Sequence, residues 1–131
     1  MTKKNIIITF SISSLIIGLF VYILFDKNII LLKYFNFSIS SQCIYCQIIR
    51  NYLSDIFYMF FICSVCHLYD LYEIPKTYII IIFLTPFFHE FLQFYFSSLG
   101  TFDIIDILFY ILISLIYYFF IYSYLEKKTC P

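Results

Sequence analysis

The chain has 131 residues, of which 63% are hydrophobic, 24% aromatic and only 12% charged, well below the roughly 25% charged content of an ordinary soluble domain. Water is therefore not its main solvent. Eight Lys and Arg balance eight Asp and Glu, so no positive excess exists to neutralise phosphates, and nucleic-acid binding is disfavoured.

Lys3 and Lys4 precede an apolar run from Ile6 to Phe25. The run is about 20 residues long and lacks a small-residue cleavage site, whereas the apolar part of a signal peptide is usually about 7 to 15 residues, so it reads as a retained first span. The following stretch, Asp26 to Asn51, is too apolar for a solvated loop and is expected to lie along the interface or against the bundle. Leu53 to Tyr69 is the second candidate span, Tyr78 to Phe96 the third and Ile104 to Tyr124 the fourth. Pro75 sits just before the third span, where its missing donor costs little, while Pro86 lies inside it and is expected to kink it. Gly100 reads as a turn. With no internal repeat and no low-complexity linker, the sequence predicts one all-α membrane domain over 1–131, with about four transmembrane helices in one bundle.

Alanine and Trp are absent while Ile, Phe, Tyr, Asn and Lys abound, the set that AT-rich codons encode. The aromatic content is read as that bias plus lipid-facing side chains, not as a stacking platform. Both ends and the Asp70 to Lys76 loop fall on one side of the membrane with Lys3, Lys4, Lys76, Lys127 and Lys128, against Lys27, Lys33 and Arg50 on the other. The positive-inside rule then puts both termini in the cytoplasm.

Three motifs have a specific look. Cys63-Ser-Val-Cys66-His67 fits the pattern of c-type haem attachment, but it falls in the cytoplasmic half of a span, and the residues are read as packing between helices with His67 near the interface. Cys43-x-x-Cys46 followed by Cys63-x-x-Cys66 has a zinc-like spacing. A helix starting near Leu53 carries Cys63 about 15 Å along its axis, so the two pairs are expected at different depths. For Cys43 and Cys46 alone, a disulfide, a redox pair and free thiols all remain open. His89-Glu90-x-x-Gln93 resembles a zinc-protease helix, except that Gln93, a poor ligand, replaces the second His.

The acids near the span edges carry more weight. A carboxylate at mid-membrane costs about 2.5–3.5 kcal/mol on insertion scales, so it is rare without a partner, a cavity or a function. Asp55 opens the second span, Glu90 and Gln93 lie near the end of the third, and Asp103 and Asp106 open the fourth. Because successive spans are antiparallel, all five fall on one side, the extracytoplasmic one in the orientation above. Glu90 and Gln93 share a helical face, as do Asp103 and Asp106. Asp103 could instead cap the fourth helix, and Asp55 and Asp106 could serve the dipoles of their first turns. Glu90, about 9 Å of helix inside Phe96, has no such explanation.

Glu90-Phe91-Leu92-Gln93, a short turn, and then Gly100-Thr101-Phe102-Asp103-Ile104-Ile105-Asp106 resembles the VanZ-like family of small bacterial membrane proteins, in which Glu-x-x-Gln on one span is followed by Asp-x-x-Asp at the head of the last. Asp55 matches an Asp at the start of an earlier span in that family. The resemblance covers about 51–118. Gly100, Tyr110 and Met59 stand where the family often has Arg, Asn and His. The resemblance implies a protein of the bacterial plasma membrane and cell envelope, linked to tolerance of teicoplanin-type glycopeptides, with no defined activity or catalytic residue.

Three functions follow as expectations. In the first, Asp55, Glu90, Gln93, Asp103 and Asp106 bind a polar group of a lipid-linked or cell-wall ligand, directly or through Mg²⁺ or Ca²⁺. In the second, Glu90 or Asp106 is the general base of an intramembrane enzyme. The third is a proton- or ion-coupled carrier, which with four spans would have to oligomerise. No resident metal or cofactor is expected, and membrane lipids are the expected surroundings.

Overall fold

The computed structural model describes residues 2–25, 52–96 and 102–127. Its four long helices are α1 (Lys3–Phe25), α2 (Ser54–Leu71), α3 (Lys76–Tyr95) and α4 (Ile104–Ile116). α4 runs on through a π-helical stretch, Tyr117–Tyr122, and a last helical turn, Ser123–Lys127, giving one apolar span of 22 residues from Ile104 to Leu125. All four are long and apolar enough to cross a membrane, and they pack as a bundle with no strand among the described residues. The expected interfacial stretch, the Cys43 and Cys46 pair and the turn at Gly100 lie outside the described residues.

α1 docks on α2 through a seam the hydropathy of the run conceals. Ile7, Ser11, Ser14, Gly18 and Val21 are all buried, alternating in steps of four and three so that they line a single stripe. Small residues dominate it, as in membrane helix pairs, where close backbone approach replaces the hydrophobic drive. A Cβ on Gly18 would stand 3.1 Å from the Phe57 Cβ and 3.5 Å from the Ser54 carbonyl oxygen. At the other end of the pair, Lys4 Nζ lies 4.2 Å above the Tyr72 ring, so the helices are antiparallel.

α2 touches all three other helices. The core forms between it and α4, from Met59, Ile62 and Cys63 on one side and Tyr110, Ile113 and Tyr117 on the other. Ile16, Phe20, Ile81, Phe88, Phe91, Leu108 and Phe120 face outward, each at least 55% exposed, which suits a lipid solvent and would be a liability in water. Hydroxyls in the spans turn back on their own helix: Ser64 donates to the Phe60 carbonyl, Thr85 to Ile81 and Ser114 to Tyr110, so each is satisfied without leaving its segment.

The α2–α3 connection is a tight Schellman turn. The amide of Glu73 donates to the Asp70 carbonyl at 3.1 Å and that of Ile74 to the Tyr69 carbonyl at 3.0 Å. Glu73 takes the left-handed conformation, with φ 55°, at a position where glycine is usual. Pro75 then opens α3 with φ −51°, and Pro86 is accommodated inside that helix, buried.

Candidate functional site

The antiparallel order brings the start of α2, the end of α3 and the start of α4 to one end of the bundle, and four carboxylates gather there. The Asp55 carboxylate is near enough to those of Asp106 and Glu90 to repel both, and Asp106 likewise feels Glu90 and Asp103. Glu90 is the buried member, with 3% of its surface exposed. Its Oε1 accepts from the Tyr110 hydroxyl at 3.5 Å and lies 4.0 Å from Nδ1 of His89, an exposed side chain. Oε2 of Glu90 and Oδ1 of Asp106 are buried and have no hydrogen-bond partner among the described residues.

Asp103 takes the duller of its two roles. It is the N-cap of α4, with extended backbone and Oδ1 accepting from the Ile105 amide at 2.9 Å, which satisfies one of the helix's orphan donors. Its other oxygen accepts from the Tyr52 hydroxyl at 3.3 Å. Desolvation, and then the charge and hydrogen bond of Asp103, raise the Tyr52 pKa above its ordinary value, so the phenol stays protonated and donating.

Gln93 does not join the acids. Its amide nitrogen pairs with His89 Nδ1 at 3.2 Å, one turn back on α3, and it reaches Glu90 only through that ring. Tyr52 and Tyr110 take the polar positions instead, and sequence reasoning missed both. For Tyr110 a signal was present: it follows Asp106 by four residues, hence on the same face of α4. Tyr110 and Met59, two of the departures from the VanZ-like pattern, are both core residues, with 3% and 0% exposure.

All described Lys residues, namely Lys3, Lys4, Lys76 and Lys127, lie at the opposite end, at the starts of α1 and α3 and the finish of α4. Among the described residues no group of three or more His, Cys, Asp or Glu is arranged to hold a metal ion. Among the described residues, the acid cluster thus holds two buried acceptor oxygens without a donor.

The Cys63-x-x-Cys66-His67 segment lies in the bundle interior nearer the Lys-bearing end. Cys63 is buried and Cys66 half-buried, and both are free thiols. The Cys66 thiol donates to the Ile79 carbonyl at 3.7 Å. His67 is 3% exposed, with Nδ1 3.2 Å from the Tyr117 hydroxyl and its ring against Tyr122, whose hydroxyl donates to Asp70 at 3.3 Å.

Comparison of the chain with protein-family models, curated proteins and solved structures finds no match. The VanZ-like resemblance rests on the residues from Asp55 to Asp106 alone.

Proposed function

We propose that this chain is a VanZ-like protein of the bacterial cell envelope whose acid cluster binds the polar head of a lipid-linked or cell-wall ligand, and that it thereby contributes to tolerance of teicoplanin-type glycopeptides. The carrying observation is Glu90. An ionisable side chain within a span, nine-tenths or more buried, with one carboxylate oxygen unpaired and three further acids around it, is a costly arrangement for structure alone. A ligand that donates hydrogen bonds removes that cost. The absence of three convergent metal ligands among the described residues favours direct binding over a divalent bridge.

In this reading the protein sits in the plasma membrane with both termini in the cytoplasm and the acids at the outer face. The test pairs two measurements in a deletion strain complemented with the parent or with Glu90→Gln: teicoplanin sensitivity and protein level by blotting. The parent is expected to restore tolerance, and Glu90→Gln to accumulate at least as well while failing to restore it. Abundance falling in step with tolerance, or tolerance left intact, would overturn the assignment. Labelling of intact cells by an impermeant thiol reagent checks the orientation, with Cys43 and Cys46 expected to react and Cys130 to be protected.

A further inference from the structure

We infer that the acid cluster receives a primary ammonium group, presented by an aminated lipid headgroup or a soluble amine, between Glu90 and Asp106. The inference deepens the binding reading above and rests on it. Three observations carry it.

Among the described residues the cluster offers more acceptors than donors. Oε2 of Glu90 and Oδ1 of Asp106 are both buried and unpaired among the described residues, and Asp55 lies close to both carboxylates. The described lysines Lys3, Lys4 and Lys76 belong to the starts of α1 and α3, at the far end of the bundle. A primary ammonium carries three donors and no acceptor, so one such group can answer both orphan oxygens. Charge-assisted bonds of this type are about twice as strong as neutral ones.

Sign and size narrow the class further. Phosphate or carboxylate ligands would be repelled by the four acids gathered at this end. A quaternary ammonium has the right charge but no hydrogen to donate. A hard divalent ion needs about six or more oxygens in an arrangement that the described residues do not supply.

Position supplies the third observation. Phe94, Tyr95, Phe96 and Phe102 are exposed at this same end, with the Phe94 and Phe102 rings 5.5 Å apart. Of these, Tyr95 is the residue type that marks the depth of lipid headgroups, and it lies one turn or so beyond Glu90 on α3, which puts the orphan oxygens just inside the level at which an aminated headgroup resides.

The test uses the full chain in lipid nanodiscs with matched acyl chains. One set contains phosphatidylcholine alone, one phosphatidylcholine with phosphatidylethanolamine, and one phosphatidylcholine with free ethanolamine in the buffer. Thermal melting is followed by helical circular dichroism. Phosphatidylethanolamine is expected to raise the melting temperature by about 5 °C over phosphatidylcholine, and the difference should vanish in both Glu90→Gln and Asp106→Asn. Glu90→Gln brings its own N–H donors to Asp106, so it should melt no lower than the parent in phosphatidylcholine. An equal rise with free ethanolamine would make the source a soluble amine, and a rise confined to the lipid would make it a headgroup. The inference is overturned if neither amine stabilises the parent, or if the difference survives in both variants, which would mark a bulk bilayer effect. Amine-dependent stability with unchanged teicoplanin tolerance would sink the envelope reading and leave the ammonium site standing. A Glu90-dependent tolerance without amine stabilisation would do the reverse.

Discussion

The Tyr110 hydroxyl on α4 reaches Oε1 of Glu90 on α3 at 3.5 Å, and each side chain is only 3% exposed. The bond is long, at the outer limit for a hydroxyl donor, and it is a direct polar link between the helix that carries the buried acid and the helix that carries its neighbours. Tyr110→Phe is expected to lower stability, and a double-mutant cycle with Glu90→Gln to give a coupling of about 0.5–1.7 kcal/mol, the range measured for hydrogen bonds between membrane helices. Thermal melting of the four proteins in one detergent measures it, and additive effects would mean the two groups do not interact.

Asp103 separates capping from charge. Asp103→Asn keeps an oxygen able to accept from the Ile105 amide, whereas Asp103→Ala removes it, at a cost of about 0.5–2 kcal/mol. The Asn variant is therefore expected to match the parent in stability with at most a mild loss of tolerance. Equal destabilisation by both substitutions would show that the negative charge, rather than the cap, is what α4 requires.

Gly18 sets how closely α1 approaches α2. A Cβ there comes within 3.1 Å of the Phe57 Cβ, so Gly18→Leu cannot be absorbed without moving the helices apart, and it should cost about 1–3 kcal/mol. Leu19→Gly, on the exposed face of the same helix, tests propensity alone and should cost about 1 kcal/mol or less. Comparable losses at the two sites would remove the close-approach argument.

Glu73 is the reverse case, a substitution expected to help. Its φ of 55° costs a side-chain-bearing residue roughly 1–2 kcal/mol, so Glu73→Gly should raise stability by about 0.5–1 kcal/mol, less the entropy glycine adds to the unfolded chain. Glu73→Ala should give no such gain. A gain from alanine as large as that from glycine would point to the charge of Glu73 and not to its backbone.

The two thiols of the Cys-x-x-Cys-His segment pack between helices, one in the α2–α4 core and the other against the Ile79 carbonyl. Cys63→Ser with Cys66→Ser is expected to insert and accumulate, and the purified parent to show no Soret band. A haem-staining band that disappears in the double variant would contradict this.

Hydropathy made the four spans legible because lipid solvation acts on whole segments, and the helix limits fall within about three residues of the expected ones. The α1 seam was not legible: with apolar residues all round, Ser11, Ser14 and Gly18 leave little contrast to mark a face. At the acid end, antiparallel order alone brought Asp55, Glu90, Asp103 and Asp106 together. Gln93 failed because sharing a helical face with Glu90 does not fix where a flexible amide points, and the His89 ring one turn back captures it. Tyr110 and Tyr52 were hidden among 14 tyrosines that composition had explained as codon bias. Burial chose these two, and burial is a property of the packed bundle.

The π-helical stretch Tyr117–Tyr122 changes what residue counting means beyond it. In an α-helix, residues five apart point about 140° away from each other, but where hydrogen bonds span five residues they return to the same face. Tyr117 and Tyr122 accordingly both lie against His67, with ring centroids 6.1 Å and 4.6 Å away. The stretch behaves as a one-residue insertion absorbed without a loop. Deleting any one residue inside it would restore the α register and swing the remainder of the helix by about 100°, carrying Tyr122 off both His67 and Asp70. The orientation of the last turns is thus governed by the number of residues in the stretch more than by their identity, so that alanine substitutions along it and a single deletion within it act on different properties of the same helix.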